Sequence, residues 1–459
     1  MKKIIVLICM ISICCVFMGQ SYSDGSKSLE LKADPQKITK PWPTYKFDFA
    51  RTGFDSSNDK ATTNLQFDWN YLDPAFWNNT GPESSPVISN DGILYIGLID
   101  HNQYGPSMLA FDLDSGTLLW YYSFGSPGQT SNGVLSTPTI DKKNIYVPTM
   151  HGVLYAINRK TGTLVWQKTL APDGRLLRAS PVVVDNVVYM GTLWYSSADP
   201  GTLYALDKAS GATLDQVDIR YGIYSSPTLY NNYLYLMECS AYYHSTNDFN
   251  FYKIDISNPN SLQIVTTKSF NVNTYGGSRS SPVIDEDGVI YYTFNSDTVY
   301  MIDSDTLNVI DSYQYGDPSY GSPRGQFTPS IAYGNIYIAT DYEIYALDLI
   351  ALNDGDPATD PFVWSTDISP YLPHWLIEGF VGGSASIANG CLYIEAGDMG
   401  NGIFFALNAL NGNVDWHYNA GGLGMGYSIA TPAISDEYVV FVSAHDEVDI
   451  SGIYVFKSQ

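Results

Sequence analysis

The sequence predicts an all-β fold: a single eight-bladed β-propeller of four-stranded antiparallel blades, its ring closed by an N-terminal strand. Three observations predict it. A small-Pro or small-Ala step recurs eight times, at Ser85-Pro86, Thr137-Pro138, Ser180-Pro181, Ser226-Pro227, Ser281-Pro282, Thr328-Pro329, Ser384-Ala385 and Thr431-Pro432. Each step is followed, nine or ten residues on, by an apolar-aromatic-apolar strand, with Tyr95, Tyr146 and Tyr189 the first aromatics and Phe441 the last. Successive steps lie 43 to 56 residues apart, the period of a propeller or solenoid.

Each element of the repeat has a physical reading. The step opens a short inner strand, and the Tyr strand, such as Ile145-Tyr146-Val147, is rich in strand formers. A second signature follows, Ala-x-Asp/Asn-x-x-small-Gly-x-x-x-Trp. It runs Ala110, Asp112, Gly116, Trp120 in the first repeat, Ala156, Asn158, Gly162, Trp166 in the second and Ala406, Asn408, Gly412, Trp416 in the seventh. The Asp or Asn can bond the backbone two residues on and start a turn. The Gly supplies a positive φ, and the Trp ring can fill the gap between neighbouring sheets. Repeat three puts Asp215 in the Trp position, and repeat six keeps Trp364 beyond an insertion. Four strands make one blade. The last repeat stops at Ile453-Tyr454-Val455-Phe456, so the segment Leu65–Tyr71 is expected to complete the eighth blade and remove a free sheet edge.

These repeats, with Trp42-Pro43-x-Tyr45-x-x-Asp48-x-x-Arg51-Thr52-Gly53 ahead of them, resemble the quinoprotein-like propeller family. The resemblance covers about residues 42–459. It implies a propeller shared by pyrroloquinoline quinone (PQQ) dehydrogenases and by the outer-membrane barrel-assembly lipoprotein. The alcohol dehydrogenases of the family carry an adjacent Cys-Cys pair against the cofactor and carboxylates around Ca²⁺. Beyond residue 23 this chain has only Cys239 and Cys391, and no carboxylates are matched to the calcium ligands.

Residues 1–23 read as a secretory signal: Lys2 and Lys3, an apolar stretch from Ile4 to Phe17, and Ser21-Tyr22-Ser23 as a small-x-small cleavage site. The stretch is shorter than a membrane span. Residues 24–41 are expected to be a flexible lead-in, and 42–459 the propeller. Cys239 and Cys391 fall in separate repeats, so no disulfide is expected. A net charge of −24 argues against nucleic acid, whose phosphates need basic side chains, and against anionic lipid. The chain is expected to be secreted, periplasmic or at the cell surface, monomeric, and free of membrane spans.

Loops that precede the steps should gather around the axis. They hold Glu83, Arg178, Tyr224, Arg279, Arg324, Gln326 and Tyr427. Cations are scarce in this chain, and an Arg fork pairs bidentately with carboxylates. These residues therefore form a candidate axial funnel for an anionic ligand. The alternative is that each Arg pairs with a local carboxylate. A weak candidate calcium site is Asp354, Asp356 and Asp360, whose close spacing supplies hard oxygen ligands; a plain acidic turn is the alternative. Tyr371–Leu376 and Tyr242-Tyr243-His244 are aromatic insertions that suit either a contact surface or packing. Glu83 and Glu378 are the carboxylates that a glycan-cleaving site could use. The function expected from these features is a non-catalytic binding or scaffolding protein that presents loops to a protein or glycan partner. The alternative is an oxidoreductase using PQQ and calcium on an alcohol or sugar.

Overall fold

The computed structural model describes residues 26–28, 40–71, 80–81, 84–100, 107–124, 133–171, 176–193, 200–239, 248–271, 280–294, 297–316, 327–340, 342–356, 358–371, 380–381, 383–398, 401–420, 430–443 and 452–459. Eight blade sheets are built from them, each opened by one step; Phe54–Asp55 adds to the seventh as a parallel strand, and Thr80–Gly81 pairs with Ile99–Asp100 in a separate two-stranded sheet. The second sheet is representative: Thr139–Ile140, Asn144–Pro148, Val153–Asn158 and Leu164–Thr169 pair in that order from the axis outward. In the eighth, Leu65–Tyr71 pairs antiparallel with Gly452–Ser458 and closes the ring as expected. Ser26–Ser28, inside the segment read as a lead-in, pairs with the outer strand Leu118–Tyr122 of the first blade. The insertion in the sixth blade contains a one-turn helix, Leu349–Asn353, capped by Asp348.

The Trp signature is a docking device between blades. Trp69 Nε1 donates to Leu113 O at 2.9 Å, Trp120 Nε1 to Arg159 O at 3.0 Å, Trp166 Nε1 to Lys208 O at 2.9 Å and Trp364 Nε1 to Ala409 O at 3.2 Å. Each acceptor belongs to the Asp/Asn turn of the next blade. The signature Gly of that turn lies flat against the indole: a Cβ on Gly162 (φ +68°) would sit 2.8 Å from Trp120 Cδ2. The signature Ala faces Trp across the strand pair, as at Ala110 with Trp120 and Ala156 with Trp166, and the register slips just after it. A larger residue there would crowd the ring. In blade 3, Asp215 replaces the indole and accepts from Leu262 N of blade 4 at 2.6 Å. The Tyr strands are buried, and their hydroxyls find polar partners, such as Tyr95 with Arg159 O at 3.0 Å and Tyr337 with Ala409 O at 3.1 Å.

At the axis the step hydroxyls link blade to blade. Ser180 N donates to Ser226 Oγ, Ser226 N to Ser281 Oγ and Ser281 N to Thr328 Oγ1, each at 2.9 Å. Thr328 N donates to Ser384 Oγ at 3.0 Å, and Thr431 N to Ser85 Oγ at 2.9 Å. The last bond joins the eighth blade to the first. Small hydroxyl residues stand at the steps because each satisfies a neighbour's amide.

Beside this ring, toward the turns that end the inner strands, runs the segment Trp42–Gly53. Its carbonyls accept from the amide two residues past the step in six blades. Ile88 donates to Trp42, Ile140 to Pro43, Leu229 to Phe49, Ile284 to Ala50, Ile331 to Thr52 and Ile387 to Gly53, at 2.8–3.1 Å. The segment is an axial plug, with Lys46 and Arg51 fully buried at its centre.

Two stability predictions follow from the blade contacts. Trp120→Ala should cost about 3–5 kcal/mol and Gly162→Ala about 1–3 kcal/mol, both read as a lowered midpoint of denaturant unfolding. Asp91 of blade 1 bonds Arg159 of blade 2, whose side chain is 5% exposed. Burial pushes the Asp91 carboxyl up, but hydrogen bonds from Ser89 and Arg159 outweigh it and hold it below its ordinary range. A depressed carboxyl contributes stability above its unfolded pKa, about 4, and loses it as pH falls through the lower folded value. Asp91→Asn should therefore lower Tm at neutral pH and flatten the decline of Tm with acid below about pH 4.

Candidate functional site

The axial end on the step side holds the described part of the funnel. Arg178 stands two residues before its step. Its loop is fixed by the Leu176–Leu193 bridge and by Leu177 N to Thr149 O at 3.3 Å. Tyr224 stands two residues before the next step. It is held by the Gly222–Cys239 bridge, by Ile223 N to Thr192 O at 3.0 Å and by Ser225 Oγ to Met237 O at 3.1 Å. A Cβ on Gly222 would lie 2.1 Å from Leu193 Cδ1, so glycine is required for the two loops to meet. A buried carboxylate supports this corner: Glu238 bonds the exposed Arg220 and accepts from Asn250 N at 2.8 Å and Tyr252 Oη at 2.7 Å.

The structure brings Arg178 and Tyr224 together. Arg178 Nη1 donates to Tyr224 Oη at 3.0 Å, and the guanidinium carbon lies 5.4 Å from the phenol centroid. Both side chains are half-buried. A guanidinium held this way has its plane fixed, and that planar shape is the one that matches a carboxylate. Glu83, Arg279, Arg324, Gln326 and Tyr427 lie outside the described residues, as do Glu378, Leu372–Leu376 and Tyr242-Tyr243-His244. Tyr371 packs its ring on Phe405 and His417 at centroid distances of 5.6 and 4.9 Å.

Asp354, Asp356 and Asp360 are exposed, and each caps its own turn. Asp354 Oδ1 accepts from Asp356 N at 2.7 Å, Asp356 Oδ1 from Ala358 N at 2.9 Å and Asp360 Oδ1 from Phe362 N at 3.0 Å. Among the described residues no group of three His, Cys, Asp or Glu side chains is placed to hold a metal. Cys239 and Cys391 are both buried, and neither is in a disulfide. No helix among the described residues is long and apolar enough to cross a membrane.

Sequence reasoning missed the axial contribution of Tyr45, Lys46 and Arg51. Tyr45 Oη donates to Thr328 Oγ1 at 2.9 Å and lies 3.4 Å from Ser384 Oγ, so it joins the ring of step hydroxyls. Lys46 Nζ donates to Ala385 O at 2.8 Å and also bonds Ser330 Oγ. Arg51 donates to Pro227 O at 3.0 Å and Tyr45 O at 2.9 Å. Burial pulls the Lys46 amine well down, with Asp48 opposing. It pulls Arg51 down to about 10, with Asp48 and Tyr45 opposing, so the guanidinium stays charged at neutral pH. The available signal was the motif Trp42–Gly53 itself, which carries two cations in a chain of net charge −24.

A PQQ molecule is a planar quinone bearing carboxylates. The guanidinium–phenol pair and the buried cations fit its anionic character; the described residues show no matching metal cluster.

The fold is shared with known enzymes. A family model described as Outer membrane protein assembly factor BamB matches residues 69–194 and 107–393. The quinone alcohol dehydrogenase subunit of Komagataeibacter europaeus is 30% identical over 154 residues, 32% of this chain and 20% of that protein. The chain thus spans about a fifth of that relative's length. Among solved structures, the quinohemoprotein alcohol dehydrogenase of Comamonas testosteroni superposes with a TM-score of 0.67 at 14% identity, over 93% of this chain and 81% of that one. BamB of Moraxella catarrhalis superposes at 0.52 with 16% identity, over 86% and 98%. At these identities the superpositions show the fold alone.

The expectation of a non-catalytic scaffold is corrected by these comparisons, which favour the oxidoreductase alternative. That expectation leaned on motifs the sequence lacks, and the Trp signature behind it is a blade-docking device common to both kinds of protein. With most of its repeats matched by the family model, the chain belongs to the PQQ-repeat family described as outer membrane protein assembly factor BamB.

Proposed function

We propose that this protein is an exported quinone-dependent oxidoreductase acting on an alcohol or a sugar, with PQQ and calcium bound at the step-side end of the axis. The observation that carries the reading is the Arg178 guanidinium fixed against Tyr224 beside the axis. The similarity to a quinone alcohol dehydrogenase subunit supports it. Glu83, Arg279, Arg324, Gln326 and Tyr427 belong to the same proposed funnel by their places before the steps. Residues 1–23 supply the export signal in this reading.

A bound quinone supplies the two-electron acceptor, and the alcohol carbon leaves as an aldehyde or ketone. The chain's own part is binding and orientation. Arg178 would orient a carboxylate of the ligand by its charge, and Tyr224 holds the guanidinium plane. The plug keeps water from crossing the axis behind the ligand.

The test is a titration of the purified protein with PQQ, with and without excess calcium, followed by intrinsic Trp fluorescence. Wild type should show saturable quenching. Arg178→Ala should weaken binding about tenfold or more, the fold-change for losing one charge-assisted contact, and Arg178→Lys should lose less. A flat titration of protein shown folded by circular dichroism overturns the reading.

A further inference from the structure

We infer that Glu238 is a positioning residue for the ligand: it fixes the connection 220–225 and, through it, the Arg178–Tyr224 pair. The inference deepens the quinone-site reading above and rests on it.

The connection leads from the outer strand Thr213–Ile219 of blade 3 to the step Ser226-Pro227 of blade 4 and carries Tyr224. It is irregular apart from the Gly222–Cys239 bridge. Three consecutive residues hold it, at the point where the second strand of blade 4, Tyr233–Met237, ends. Met237 O accepts from Ser225 Oγ at 3.1 Å, and Cys239 N donates to Gly222 O at 2.8 Å. Between them the fully buried Glu238 carboxylate takes the first two residues. Its Oε1 accepts from Arg220 Nε at 2.9 Å and also from Arg220 Nη2, and its Oε2 accepts from Tyr221 N at 3.4 Å.

The same carboxylate is gripped from the third strand of blade 4, Asp248–Asp255. Asn250 N donates to Oε1 and Tyr252 Oη to Oε2. The partners of both oxygens are thus donors. An amide in place of the carboxylate would turn its NH₂ toward Arg220 and Asn250 N, or toward Tyr221 N, and leave donors unpaired. The far end of the connection meets the ligand site: Ile223 N bonds Thr192 O of blade 3, and Tyr224 Oη accepts from Arg178 Nη1. A connection held at both ends presents Tyr224, and the guanidinium it bonds, without an ordering cost at binding. Glu238 touches no ligand in this reading; it acts through Arg178 and Tyr224.

Wild type, Glu238→Gln, Arg178→Ala and the double variant would be titrated with PQQ in excess calcium, each shown folded by circular dichroism. Glu238→Gln should bind about tenfold more weakly than wild type. In the Arg178→Ala background the same substitution should change affinity less than about threefold, because the pair it acts through is already lost. A purely structural role would give equal losses in both backgrounds. Hydrogen exchange read without ligand should quicken about tenfold or more at the Tyr221, Ile223 and Cys239 amides of Glu238→Gln, and not in blade 7. Should Glu238→Gln not fold, Tyr252→Phe removes one donor to the same carboxylate and carries the comparison, with a loss of about threefold that vanishes in the Arg178→Ala background. Wild-type affinity in the folded variant, equal losses in both backgrounds or unchanged exchange overturns the positioning role and leaves the quinone reading standing. Absence of PQQ binding to folded wild type overturns the quinone reading and the role with it.

Discussion

Eight inner strands converge on one axis, and the inward edge of each must find acceptors for its amides. A strand has two edges, and its own blade pairs only one of them. Unpaired buried amides are costly, and no ninth sheet fits inside the ring. The protein meets the constraint with one irregular segment. Trp42–Gly53 offers successive carbonyls to the same amide position in six blades. The segment must bend to follow the ring, and Lys46, Phe47 and Arg51 all take positive φ, at 58°, 70° and 64°. Such conformations cost non-glycine residues something on the order of 1 kcal/mol each. Six ladder-like bonds and the bonds of two buried cations offset that. The step hydroxyls, one level away, tie the blades to each other without the plug.

Radial order depends on a second constraint: adjacent sheets splay outward and leave a wedge between them. The indole fills that wedge and bonds the neighbouring turn, and the facing Gly and Ala are small because the ring needs their space. Blade 3 shows that bonding and filling are separable. Asp215 keeps a bond to the next blade with the polarity reversed, the side chain now accepting from an amide. The indole's volume is lost there, and Leu262 packs with the blade 3 core instead.

These two constraints explain how much was legible in the sequence. The steps and the Tyr strands repeat once per blade, and the Ala-to-Trp signature is complete in repeats one, two and seven, so the architecture could be read from spacing. The closing strand Leu65–Tyr71 was legible because one blade lacked its outer strand. The pairing of Ala with Trp across the strands was not, since spacing along the chain says nothing about register slips. The plug was opaque for a deeper reason. Its residues are spaced by the circumference of the ring, not by a strand period, so neighbouring residues serve different blades. Arg178 and Tyr224 were named only as two of seven residues in the loops before the steps; nothing in the sequence said that they touch. The scaffold expectation leaned on missing motifs, whereas the comparisons favour the oxidoreductase alternative.

Geometry also decides which end of the axis can carry function. On the turn side, each Asp or Asn signature caps a short loop, as Asp112 does for Ser115 N at 2.9 Å and Asp207 for Ser210 N at 2.8 Å. In blades 1, 2, 3 and 7 the Trp of the preceding blade docks on that loop, so a change there costs stability. The plug fills the axis on the same side. The connections before the steps vary in length from repeat to repeat. Variation tolerated there without loss of the ring is what lets one propeller serve both alcohol dehydrogenases and a barrel-assembly factor. The chemistry that separates such proteins must then lie in the side chains just before the steps and in whatever the plug presents beneath them. In this chain the described residues just before the steps include Arg178, bonded to Tyr224.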